Sequence, residues 1–249
     1  MRLKDKVALI TGASSEGIGR AIAVLFALEG AKVAIVGRNR SGLERTFLQI
    51  ERIGGECLIL EADVSLPEAA KQIVERTVER FGKLDILVNN AAIILRKRFI
   101  DVLPDEFDRL YMTNVRGYFF CAQAAAREMI EQKKGKIIMV SSDSALAGIP
   151  GISPYAATKG AVLSLTRAIA KELLPYRINV NAIIPGTVKT DINREKMESD
   201  PEYCEEAEKR CPLGIGTVDD IAPAAVYLAS EETNWMTGQS IVIAGGHLM

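Results

Sequence analysis

Short all-apolar runs rich in Val and Ile recur along the chain and alternate with longer stretches whose apolar positions return every three or four residues. The short runs predict strands over 7–11, 32–37, 57–62, 84–89, 136–141, 178–184 and 240–243. The longer stretches predict helices, among them 17–28, 68–81, 155–173 and 219–229. Several strands are apolar at nearly every position, so both of their faces must be covered. That predicts a doubly wound α/β domain: seven strands, mostly parallel, with helices on both sides of the sheet.

No Pro/Gly/Ser linker and no repeat of fixed period divides the 249 residues, so 1–249 reads as one domain. The stretch 191–211 stands apart, densely charged and interrupted by Pro201, with Pro212 just beyond it. Ligands of such sheets bind beyond the carboxyl ends of the strands, where this insert is placed to act as a mobile lid. A solvated pair of surface helices is the alternative.

Charge narrows the partners. Lys plus Arg number 31 against 32 Asp plus Glu, a formal charge of −1, with no basic excess for nucleic acid or anionic lipid. The longest apolar helical run, 21–28, is far short of a membrane span, and 7–10 is too short for a signal-peptide core. Cys57, Cys121, Cys204 and Cys211 form no Cys-x-x-Cys pair, and with one histidine they cannot complete a zinc set, so no metal site is expected. Each cysteine reads as a small buried hydrophobe suited to a reducing cytoplasm. The histidine, His247, lies near the chain end and is expected to stand outside the chemistry.

The first strand runs into Thr11-Gly12-Ala13-Ser14-Ser15-Glu16-Gly17-Ile18-Gly19 and then a helix. Glycines there let backbone N–H groups approach a pyrophosphate, and the positive end of the helix favours its charge, so a dinucleotide is the expected ligand. Glycine also serves tight turns for steric reasons alone. At the end of the second strand, where a carboxylate would meet a free ribose 2′-hydroxyl, the chain reads Gly37-Arg38-Asn39-Arg40. A small residue followed by arginine suits a 2′-phosphate, so NADP(H) is preferred, with NAD(H) possible. Glu16 adds negative charge to the turn and argues the other way, and Arg38 is alternatively an ordinary surface arginine.

Tyr155 and Lys159 stand four apart at the start of a predicted helix and share one face. An ammonium beside a phenol, joined by a cationic nicotinamide, would bring the phenol toward working pH and make it a general acid or base. Ser142, just after the fifth strand, is placed to hold a substrate oxygen during that exchange. A strand-terminating serine is the plainer alternative.

These residues, in this order, resemble the short-chain dehydrogenases/reductases of standard length. The likeness runs over essentially the whole chain and includes Asp63-Val64, Asn89-Asn90-Ala91-Ala92, Asn114 and Pro185-Gly186-Thr187-Val188-Lys189-Thr190. It implies a Rossmann domain and interconversion of a small-molecule carbonyl and alcohol. By resemblance, Tyr155 is the acid/base, Ser142 orients the carbonyl, and Lys159 lowers the tyrosine pKa and binds the nicotinamide ribose. Asn114 holds a water linking Lys159 to solvent. Gly12, Ser14, Ser15, Gly17, Ile18 and Gly19 hold the phosphates, and Arg38 the ribose phosphate. Asp63 and Val64 meet the adenine, Asn90 the adenosine-side wall and ribose, and Val188 with Thr190 the carboxamide. A homotetramer joined through the Tyr155 helix and the C-terminal strand is also implied.

Three departures qualify the likeness. Four residues, 13–16, separate the first two glycines where the family has three, so the turn must bulge and the roles of Ser14 and Ser15 stay open. Ala92 replaces a usual glycine, and Ala244 a common aspartate. The leading reading is an NADP(H)-dependent oxidoreductase. An NAD(H) enzyme of the same family and a dinucleotide sensor or scaffold without turnover are the alternatives. The cleft walls around 144–153, 93–98 and beyond Thr190 leave acyl thioesters, sterols and sugar acids open as substrates.

Overall fold

A computed structural model describes residues 1–249. The strands are β1 (Val7–Thr11), β2 (Lys32–Gly37), β3 (Cys57–Glu61), β4 (Ile86–Asn89), β5 (Gly135–Val140), β6 (Ile178–Pro185) and β7 (Ser240–Ile243). The helices are α1 (Ile18–Leu28), α2 (Arg40–Arg52), α3 (Ala69–Phe81), α4 (Pro104–Tyr111), α5 (Gly117–Gln132), α6 (Ser144–Ala147), α7 (Ser153–Leu173), α8 (Asp191–Ser199), α9 (Pro201–Arg210) and α10 (Val218–Ala229). The strands form one sheet in the order β3-β2-β1-β4-β5-β6-β7. Every pairing is parallel, so the sheet is wholly rather than mostly parallel.

Strand periodicity explains how one sheet supports two cores. Along β5, Ile137 and Met139 join the cluster made with α3, α5 and α7, which includes Ile73, Cys121 and Val162. Ile138 and Val140 join the opposite cluster, made with α1, α2 and α10, which includes Phe26, Ile50 and Val226. Each face of the strand thus needs apolar residues, which is why the strands read as unbroken apolar runs.

Strand order reverses between β1 and β4. The crossover helices leave in opposite directions there, and a crevice opens beyond the carboxyl ends of those strands. Local signals place the helices around it. Asn39 caps α2 by accepting from the N–H of Gly42, and Pro154 lies in the first turn of α7. Between α4 and α5, Met112–Arg116 form a π turn that sequence periodicity did not anticipate.

The insert folds as α8 and α9. Asp200 separates them and accepts from the N–H of Tyr203, and Pro201 opens α9. No helix of the molecule is long and apolar enough to cross a membrane. Cys121 and Cys211 are buried as expected, whereas Cys57, at the start of the edge strand β3, and Cys204, on α9, are only half-buried. Burial pushes the Cys57 and Cys121 thiols up to about 12, which disfavours the thiolate at either.

Candidate active site

A cleft of about 930 Å³ lies at the switch point and runs from the β1 turn to the start of α7. At its floor Gly12 has φ of +71°, and a Cβ there would stand 2.7 Å from the Cα of Ala91. A Cβ on Gly19 would run into the Asn90 amide and the Gly12 carbonyl. Helix α1 begins with no side-chain cap and no acid in its first turn, leaving its leading N–H groups to an anion. These features fit a dinucleotide pyrophosphate. Asn90 holds the cradle in place, its amide donating to the carbonyls of Thr11 and Gly12 at 3.0 and 3.2 Å.

The structure resolves the lengthened turn. Ser14 packs beneath Gly37, where a Cβ would lie 2.6 Å from its Oγ, so it faces the adenosine end. Ser15 is exposed and stands beside Gly17 at the helix start. The additional residue leans outward as Glu16. Its N–H donates to Asp191 Oδ2 at 2.6 Å, its carbonyl accepts from the N–H of Asp191 at 2.9 Å, and its carboxylate pairs with Arg194 at 2.6 Å. Buried Arg20 braces the turn from behind, donating to Thr46 at 2.9 Å and to the Ser14 carbonyl at 3.3 Å. Glu16 is held below the usual carboxylate range, chiefly by Arg194. Its charge is thereby turned toward α8.

At the adenosine end no carboxylate terminates β2. Arg38 lies half-exposed on the cleft, 3.6 Å from Asp63 Oδ2, and α2 starts beside it with no acid in its first turn. Burial raises the Asp63 carboxyl, but hydrogen bonds from Ser65 and the Arg38 charge outweigh it and leave Asp63 below its ordinary range. Val64 is buried against α5, where a Cβ on Gly117 would meet its carbonyl at 2.9 Å. Val188 is buried and bridges to Gly216, and Thr190 begins α8, its N–H bonded to Asn193 Oδ1. Of the residues expected to hold the cofactor, all except Gly19 line the same cleft; Gly19 is buried beside it.

Ser142, Tyr155 and Lys159 converge at the other end. Lys159 is 1% exposed, and its ammonium donates to the Val140 carbonyl at 2.8 Å and to Tyr118 Oη at 3.2 Å. It stands 5.0 Å from the Tyr118 ring centre and 5.7 Å from that of Tyr155. Burial lowers Lys159 to about 7. Burial also pushes Tyr155 up to about 12, reinforced by the Asp143 charge, while Ser142 and Arg96 work against it. The expected lowering of the phenol is therefore not present in the protein alone. Desolvation exceeds the lowering that the Ser142 hydrogen bond and the Arg96 charge supply.

Asn114 sits in the π turn, fully buried. Its Oδ1 accepts from the N–H of Ile93, and its Nδ2 donates to the Ile93 carbonyl and to Thr158. That side chain braces the loop after β4 against α7. Both amide donors of Asn114 are committed to protein partners, and Oδ1 accepts one of the two hydrogen bonds it can take.

Sequence reasoning missed two groups. Tyr118, from α5, supplies both an oxygen and a ring face to Lys159. His247, expected to stand apart, instead places Nδ1 2.8 Å from Asp143 Oδ2, and Asp143 Oδ1 accepts from Ser142 Oγ at 3.0 Å. Two left-handed glycines, Gly245 and Gly246, fold the C-terminal segment back to make that contact.

A dinucleotide cradle joined to a Ser, Tyr and Lys cluster defines a class of nicotinamide-dependent oxidoreductase on an α/β sheet. Comparison with known proteins agrees. A family profile described as Enoyl-(Acyl carrier protein) reductase matches residues 12–247. The chain is 41% identical over 252 residues to L-rhamnose 1-dehydrogenase (NAD(P)(+)) of Azotobacter vinelandii, covering 99% of this chain and 98% of that protein. It is 38% identical over 248 residues to the 3-oxoacyl-(acyl-carrier-protein) reductase of Thermotoga maritima, covering 99% of each. A 2-deoxy-D-gluconate 3-dehydrogenase candidate of Agrobacterium tumefaciens, solved with bound NADP, superposes with a TM-score of 0.91 at 34% identity, covering 99% and 97% of the two chains. The chain belongs to the short-chain dehydrogenase/reductase family, whose relatives here are named dehydrogenases and reductases acting on CH–OH and C=O groups.

The turn-to-α8 contact makes a prediction. Glu16→Ala keeps the two main-chain links to Asp191 and loses the pairs with Arg194 and Arg20. The dinucleotide dissociation rate, read by stopped-flow fluorescence, is expected to rise by less than about fivefold at low salt and to match wild type at about 1 M salt. A difference that persists at high salt would mean that Glu16 acts through the shape of the turn and not through these ion pairs.

Proposed function

We propose that the protein is an NADP(H)-dependent enzyme interconverting a carbonyl and an alcohol, with Tyr155 exchanging the proton of the substrate oxygen. The observation that carries this reading is the single cleft that joins the glycine turn to Ser142, Tyr155 and Lys159. The bound cofactor supplies hydride transfer at its nicotinamide ring. Ser142 holds the substrate oxygen beside the phenol. Tyr155 donates its proton to that oxygen in reduction and accepts it in oxidation, and Lys159 favours the phenolate through its buried charge.

NADP(H) is favoured over NAD(H) by the absence of a carboxylate ending β2, by Arg38 on the cleft wall and by the acid-free first turns of α1 and α2. The Arg38–Asp63 pair would be shared with a 2′-phosphate. Among the basic residues of the 93–98 wall, Lys97 pairs with Glu106 and Arg98 with Asp101. Arg96 has no carboxylate partner and lies over the Tyr203 ring, and Arg210, paired through its terminal nitrogen with Glu206 at 3.7 Å, keeps a buried Nε with no hydrogen-bond partner. Both line the cleft, so a substrate rich in oxygen, a sugar or hydroxy acid, fits better than a sterol. Residues 191–211, contributing Ile192, Lys196 and Tyr203 to the wall, form its lid. Four free cysteines suit a reducing cytoplasm.

A homotetramer completes the reading. The outer edge of β7 is unpaired, and nearby Trp235 is wholly exposed, as expected of an edge that awaits a second copy. Light scattering should give four times 27.1 kDa, and a monomer mass contradicts the assembly.

The direct test is a panel of sugars, hydroxy acids, sterols and oxoacyl thioesters, run with both nicotinamide cofactors while nicotinamide absorbance is followed. Turnover is expected with NADP(H), with oxidation rising and reduction falling as pH increases, because Tyr155 must be deprotonated for one and protonated for the other. Tyr155→Phe should lose at least about 100-fold in kcat. Arg38→Ala should weaken NADPH binding about tenfold while leaving NADH within about twofold. Undiminished turnover by Tyr155→Phe would overturn the mechanism, and equal losses for both cofactors the preference.

A further inference from the structure

We infer that His247 is a positioning residue for the carbonyl-binding hydroxyl. Through Asp143 it sets whether Ser142 can give its proton to a substrate oxygen. This rests on the proposed roles of Ser142 and Tyr155.

Ser142 Oγ donates to Asp143 Oδ1 at 3.0 Å and accepts from the N–H of Ser144 at 3.2 Å and from its hydroxyl at 2.9 Å. A hydroxyl has one proton, so while Asp143 takes it none is left for a substrate. Asp143 is a buried carboxylate, 4% exposed, fixed to the end of β6 by its N–H on the Pro185 carbonyl. Left unpaired, such a group would compete with the substrate for the Ser142 proton and repel negative charge on Tyr155.

His247 answers both difficulties. Its Nδ1 meets the second carboxylate oxygen at 2.8 Å, with the imidazole nearly buried. An N–H placed there draws the carboxylate's charge away from Oδ1, weakens that oxygen as an acceptor and frees the Ser142 hydroxyl to turn toward the substrate. The segment that delivers His247 is firmly held. The Gly245 carbonyl accepts from the N–H of Leu213 at 3.0 Å, the N–H of His247 bonds the Ala244 carbonyl at 3.0 Å, and Leu248 packs against the core. Gly186 is part of this fit, because a Cβ there would come within 2.6 Å of the Ala244 Cα; the alanine in place of a common aspartate has no structural explanation.

The test uses the full-length protein and the substrate identified by the panel. His247→Ala is expected to lower kcat about tenfold with the dinucleotide Kd within about twofold of wild type. Adding Asp143→Asn removes the charge that His247 tempers, so the double variant should turn over at least about fivefold faster than His247→Ala alone. A merely structural histidine predicts the opposite, a second substitution that adds further loss. Because His247 is the only histidine, ¹⁵N-histidine labelling gives one imidazole and an independent readout. Its Nδ1 resonance should shift on Asp143→Asn and stay in place on Tyr155→Phe. Wild-type turnover by His247→Ala, a double variant no faster than the single, or an Nδ1 resonance indifferent to Asp143→Asn would each overturn the inference. If Tyr155→Phe keeps full activity, the catalytic reading fails and the inference about Ser142 falls with it, whereas the resonance still reports whether His247 and Asp143 meet.

Discussion

A positive charge that is buried without a carboxylate partner organises this molecule. Lys159 is 1% exposed, and the groups that receive its ammonium are a β5 carbonyl, a tyrosine oxygen and the faces of two aromatic rings. Neutral partners offset only part of the cost of desolvating an ammonium, so its pKa falls to about 7. The site is consequently poised for negative charge. In the proposed mechanism a phenolate on Tyr155, formed once the cofactor is bound, is the counter-ion for that charge. The fold serves this arrangement from three directions, with β5 ending at Val140, α5 presenting Tyr118 and α7 carrying Tyr155 and Lys159 on one face.

The same sheet brings the far end of the cleft within reach. Reversal of strand order between β1 and β4 leaves a crevice, and the glycine turn fills its floor only because Gly12 and Gly19 leave room for Ala91 and Asn90. The additional residue in that turn does not intrude on the phosphate side. It bonds to α8, tying the floor of the cleft to the first helix of the 191–211 insert.

Much of this was legible in the sequence, and the limits have physical causes. Strands showed plainly because both faces of the central sheet are buried, which makes most of their residues apolar. Tyr155 and Lys159 showed because four residues make one helical turn. Contacts across long separations left no such trace. Nothing in the spacing of Asp143 and His247 indicates that two left-handed glycines fold the tail onto the β5 end, and nothing marks Tyr118 as a partner for Lys159. The π turn escaped because one shifted register does not disturb apolar periodicity, yet it is what turns Asn114 toward Ile93 and Thr158. The direction of the Tyr155 shift also needed structure, since sequence reveals the neighbouring cation and not the degree of desolvation.

That shift offers the most direct measurement. In the protein alone burial holds Tyr155 at about 12. A cationic nicotinamide beside the phenol, acting with Lys159, must bring it down if tyrosine is to exchange protons near neutral pH. Titration of ¹³Cζ-labelled tyrosine by NMR, with Tyr155→Phe to assign the resonance, reads the phenol with and without NADP⁺. The account predicts a fall of at least about one unit when the oxidised cofactor binds. A Tyr155 pKa that is unchanged or raised by NADP⁺ would contradict it.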